Sequence, residues 1–125
     1  MGMDLLGAKR ELYVSYPNWA TALVLALDFG WQPAGTQPPG DWDEKEEWNG
    51  HYCGNGSQRV LAEDAKGLAT ALRLAVTTMC AEDIFCPRCH FRLTSPAIQH
   101  FASTKQAAFL VQLIEFLEKG GFVIT

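Results

Sequence analysis

Between Trp31 and Gly50 the chain loses every hydrophobic period. Pro33, Pro38, Pro39, Gly35, Gly40 and Gly50 interrupt it, and residues of these two kinds break helices and strands alike. A run of about twenty residues without regular structure is long for a compact domain, and such runs tend to be functional or unfolded. Trp31, Trp42 and Trp48 lie within it. Indole rings are large apolar surfaces that gain by burial, which argues against disorder. The fold must therefore be assembled from elements on either side of a long loop.

Before the loop, residues 11–15 alternate in the manner of a short strand. Pro17 suits the first turn of a helix, where its missing N–H would find no partner anyway. That helix is predicted over about 17–29, with Gly30 closing it. Ala20, Leu23, Val24 and Leu27 share one face, while Ala22, Leu25 and Ala26 make the other apolar too. A helix apolar nearly all round is expected at the centre of the molecule.

After the loop, residues 51–61 suggest two short strand pieces around Gly54-Asn55-Gly56. Leu61, Ala65, Leu68, Leu72, Ala75 or Val76, and Met79 then step by three and four, the pattern of a helix. Glu63 and Asp64 in its first turn suit the positive end of the helix dipole. Residues 80–94 keep no period. Ser95-Pro96 opens a further helical stretch to about 119. Ser103 with Gln106 forms a second start signal inside it, so one helix or two are expected there. Phe109, Leu110, Leu113, Ile114, Phe116 and Leu117 form its buried stripe, Gly120-Gly121 ends it, and Phe122-Val123-Ile124 reads as a last strand. The expected architecture is a single α+β domain over 1–125: three to four helices packed with a small sheet of short strands, helix dominating.

Composition narrows the function classes. With 125 residues and 48% hydrophobic content, the chain can bury a core and fold by itself. A net charge of −4 offers no footprint for nucleic acid, whose phosphates demand clustered Lys and Arg. The longest apolar run, Trp19 to Leu27, is about half of a membrane span. Asp4 interrupts the start, and Lys9-Arg10 follows the first apolar stretch rather than preceding it, so no secretory signal is read and a cytoplasmic protein is expected.

Two places could carry chemistry. The first is Asp41-Trp42-Asp43-Glu44-Lys45-Glu46-Glu47-Trp48, with five acids and one lysine. The remaining residues balance at nine acids against nine bases, so this loop carries the whole charge imbalance. Trp42 and Trp48 as aromatic anchors, with Asp41, Asp43, Glu44, Glu46 and Glu47 as complementary charge, suit the docking of a basic protein. A neutraliser of a basic toxin or nuclease, of the immunity or accessory kind, would carry such a loop. The plainer alternative folds the indoles back onto the core and leaves the acids solvated.

The second is Cys86-Pro87-Arg88-Cys89-His90. Two thiolates two residues apart fit adjacent corners of a zinc tetrahedron, and the other ligands would come from His51 and Cys53, or from Cys80 with His90 or His100. The same string matches the attachment pattern of a c-type haem, and its C-x-x-C a dithiol redox pair. Against all three stands the reading of ordinary reduced cysteines. No G-x-S-x-G, H-E-x-x-H, P-loop or G-x-G-x-x-G occurs, and a non-enzymatic protein without a cofactor is expected, with zinc as the alternative. The exposed tryptophans and the broad apolar last helix also suit a homodimer.

Gly30-Trp31-Gln32-Pro33-Ala34-Gly35-Thr36, Trp48-Asn49-Gly50-His51-Tyr52, Glu63-Asp64-Ala65 entering a helix, and Gly120-Gly121-Phe122-Val123-Ile124 follow one another in the chain. In this order the chain resembles a group of small bacterial proteins of unknown function. The resemblance spans most of the chain from about residue 11. It implies a bacterial cytoplasmic origin and no particular activity, and the cysteine pair forms no part of it.

Overall fold

The computed structural model describes residues 2–54, 56–81, 96–101 and 103–125. The elements run β1 (Gly2–Leu6), β2 (Glu11–Ser15), α1 (Tyr16–Asp28), β3 (Gln58–Val60), α2 (Ala62–Ala81), α3 (Pro96–His100), α4 (Thr104–Glu118) and β4 (Phe122–Ile124). The strands form one antiparallel sheet in the order β2-β1-β4-β3. This is the expected α+β architecture, with helices dominating.

Alternation along the strands decides what the sheet covers. Met3, Leu5, Val14, Gln58, Val60, Phe122 and Ile124 are buried, whereas Asp4, Leu6, Glu11, Tyr13 and Arg59 on the intervening positions are exposed. One face of the sheet is therefore in the core and the other open. β1 is not among the strands expected from the sequence, although Met3 and Leu5 flank Asp4 at the strand period.

α1 begins where Pro17 indicates, its N-cap hydroxyl on Ser15 accepting from Asn18 N–H at 3.3 Å. Its apolar circumference misleads. Trp19, Ala22, Leu23, Leu25 and Ala26 are buried, but Val24 and Leu27 are each 50% exposed. The helix lies against the core on one side only. α2 packs against both α1 and α4, and Arg73 on α2 reaches Glu118 on α4 in a two-pronged ion pair at 2.7 and 3.0 Å.

The stretch from 96 onward is two helices. Ser103 caps α4, its hydroxyl accepting from Gln106 N–H at 3.2 Å. Leu110, Leu113, Ile114, Phe116 and Leu117 are buried as the stripe requires. Arg10 binds the hairpin to the end of α4: its guanidinium donates to the carbonyls of Phe116 (3.0 and 3.1 Å) and Gly120 (3.0 Å) and lies 4.5 Å from the Phe116 ring centre. Of the two strand pieces expected in 51–61, only Gln58–Val60 forms a strand among the described residues. No helix among the described residues is long and apolar enough to cross a membrane.

Candidate functional site

The long segment after α1 is fastened at its root by a single carboxylate. Asp64, in the first turn of α2, is only 5% exposed. Its Oδ1 accepts from the Trp31 indole N–H at 3.0 Å and from Ala34 N–H at 3.3 Å. Its Oδ2 accepts from the Tyr52 hydroxyl. That hydroxyl in turn accepts from Gly35 N–H at 2.8 Å. The Tyr52 carbonyl receives the indole N–H of fully buried Trp19 at 2.8 Å. Both limbs of the segment, 31–35 and 52, thus converge on one side chain.

A buried carboxylate needs this many donors to offset its lost hydration. The Tyr52 phenol is held well above its usual range, first by burial and then by its hydrogen bond to the Asp64 carboxylate. In the sequence Asp64 reads as a helix-dipole acid, and Tyr52 stands out only within the resemblance. The signal that could have found them was already in view: Trp31, Gly35, Tyr52 and Asp64 all belong to the strings that carry the resemblance.

Above this clasp the two limbs touch backbone to backbone. Gly35 and Gly50 both take positive φ, at 92° and 71°. A Cβ on Gly50 would stand 3.3 Å from the Gly35 Cα. Thr36 N–H donates to the Gly50 carbonyl at 3.1 Å, and the Thr36 hydroxyl to the His51 carbonyl at 2.7 Å. Glycine is required here for conformation and for closeness together.

The acidic tip stands on an aromatic stack. Trp48 packs against His51 with ring centres 4.9 Å apart, and Trp42 meets Trp48 at 4.9 Å and 77°, edge to face. Both indole N–H groups are used within the segment, Trp48 donating to the Thr36 carbonyl at 2.8 Å and Trp42 to the Glu46 carbonyl at 3.1 Å. All three rings are half-buried, while Asp41, Asp43, Glu44, Glu46 and Glu47 are exposed. Turns closed by Trp42 N–H to the Pro39 carbonyl (3.0 Å) and Glu46 N–H to the Asp43 carbonyl (2.9 Å) shape the tip. The structure thus brings Trp42 and Trp48 together as supports of the loop and leaves the carboxylates outward.

Of the candidate metal ligands, only His51, Cys53 and His100 have side chains among the described residues. Cys86, Cys89 and His90 lie outside the described residues, as does the side chain of Cys80. Cys53 is exposed, His51 Nδ1 faces the Gln58 amide at 3.4 Å, and His100 Nε2 lies 2.6 Å from Asn18 Oδ1. Among the described residues no group of three or more His, Cys, Asp or Glu side chains could hold a metal ion.

Beside the clasp a groove of about 590 Å³ runs along α2, lined among others by Phe29, Trp31, Gly67, Ala71 and Leu74. Its one buried ionisable group, Asp64, is already occupied by donors from the chain. Comparison with protein-family models, with curated proteins and with solved structures finds no match.

Proposed function

We propose that this chain is a non-enzymatic interaction module that docks a basic protein through residues 41–48. The observation that carries this is the Trp42–Trp48–His51 stack beneath five exposed carboxylates. Ordering a flexible loop on binding consumes affinity, and a loop already fixed by its own indoles avoids that loss. The carboxylates supply long-range steering toward a positively charged surface. The half-buried indole faces supply apolar area that a partner completes by covering them. A basic toxin, nuclease or similar client fits this chemistry, with the chain acting as its neutraliser or accessory.

The test compares wild type with Glu44→Lys/Glu46→Lys/Glu47→Lys and with Trp42→Ala in pull-downs from host lysate at low and high salt. A basic protein retained by wild type at low salt should be lost at high salt and lost from the triple variant. Trp42→Ala should weaken its retention without removing the salt dependence. An identical set of captured proteins for wild type and the triple variant overturns the proposal.

A further inference from the structure

The two edges of the sheet differ in a way that suggests a second interface. The outer side of β3 is closed by residue 37: Gln37 N–H donates to the Arg59 carbonyl at 2.8 Å, and Arg59 N–H donates back at 2.9 Å. β2, at the opposite edge, has no such cover among the described residues.

The ladder fixes which groups of β2 face outward. Gly7 N–H donates to the Arg10 carbonyl at 2.8 Å across the hairpin turn. Alternation then makes Leu5–Leu12 and Met3–Val14 the hydrogen-bonded pairs of the ladder. Asp4 confirms the parity, because it exchanges both backbone bonds with Thr125 on the other side of β1, at 2.7 and 2.9 Å. Glu11 and Tyr13 therefore direct their N–H and C=O groups off the sheet. β2 contains no proline, and its one charged residue is Glu11. The charged side chain of Arg10, next to β2, is engaged at the end of α4. Unpaired edges of this kind template another strand.

We propose that β2 joins two copies of this chain, pairing antiparallel about a two-fold axis at Leu12 and extending the sheet through both. Charge and geometry select this register. An axis at Glu11 sets two carboxylates face to face, which is repulsive. An axis at Tyr13 draws Ser15, already the cap of α1, and Tyr16, its first residue, into the pairing. An axis at Leu12 sets Glu11 of each copy opposite Tyr13 of the other, and nothing beyond Val14 is needed. The two Leu12 side chains, partly buried at the margin of the core, then meet in a non-hydrogen-bonded pair, where side chains approach most closely. Isologous pairing of this kind closes on itself and stops at a dimer.

Sedimentation equilibrium of the full chain over a dilution series tests the proposal. Wild type should show a reversible monomer–dimer equilibrium. Tyr13 is 60% exposed, so substitutions there spare the core. Tyr13→Glu faces Glu11 in both symmetry-related pairs and should weaken dimerisation about tenfold or more. Tyr13→Lys faces the same carboxylate with opposite charge and should keep the dimer. Tyr13→Pro removes only an outward N–H and should give a monomer with an unchanged circular dichroism spectrum. A wild type that is monomeric at every concentration overturns the proposal and leaves the edge to a foreign strand. A dimer indifferent to Tyr13→Glu, or one broken equally by Tyr13→Lys, overturns it as well.

Discussion

At the root of the long segment, Trp31, Ala34 and Tyr52 turn their polar hydrogens onto the Asp64 carboxylate, away from solvent. A few residues further out, Asp41, Asp43, Glu44, Glu46 and Glu47 hold their carboxylates out in the solvent. Both regions are acidic and both are built around tryptophan, yet the physics is opposite. In the root one carboxylate organises the aromatics; in the tip the aromatics organise the carboxylates. Burial makes the difference, because a buried charge must be satisfied by the chain, whereas an exposed one is satisfied by water. The root is therefore expected to govern stability and the tip to govern recognition.

The sharpest way to break this contrast is Asp64→Ala. It strands three donors in a buried site and should destabilise the protein by about 3–5 kcal/mol in urea denaturation, since each unpaired buried donor carries its own desolvation penalty. A loss below about 1 kcal/mol would mean that the root is not a clasp at all.

Tyr52→Phe sharpens the same point. It leaves Gly35 N–H without its acceptor and should cost about 1–3 kcal/mol. It also changes the dependence on pH. The folded phenol is raised above its ordinary value of 10.0, so the unfolded chain releases this proton first. Between the two values the native state binds more protons, and stability falls as pH rises. The contribution is complete below pH 10 and shrinks above it. Denaturation followed from neutral pH upward should show this alkaline slope in wild type and a shallower one in Tyr52→Phe; equal slopes would place the effect elsewhere.

The smallest expected effect belongs to the tip. Glu44→Lys/Glu46→Lys/Glu47→Lys touches only exposed side chains and should shift stability by no more than about 0.5 kcal/mol per site. A larger loss in the same denaturation assay would show that the tip, too, is structural.

How much of this was legible varies with the range of the interactions involved. α2 was readable because its apolar positions repeat every three to four residues and the helix uses them as written. The start signal at Ser103 is legible because a cap acts over three residues, although the sequence leaves one helix or two open there. α1 was half legible: its composition announced burial, but the exposure of Val24 and Leu27 depends on which neighbours arrive. Trp42 and Trp48 stand six residues apart in the sequence, and only their mutual packing makes them supports of the loop.

The helix periods, the long interruption between them and the concentration of negative charge in one loop follow from residues close together in the chain, and are legible without a fold. The fold, by contrast, makes Asp64 an acceptor, brings Tyr52 to it across 12 residues and Trp31 across 33, and, among the described residues, closes one sheet edge while leaving the other open. A carboxylate in the first turn of a helix looks the same in sequence whether water or an indole meets it. Its role is settled by which groups the fold brings within hydrogen-bonding distance and which it shuts away from solvent.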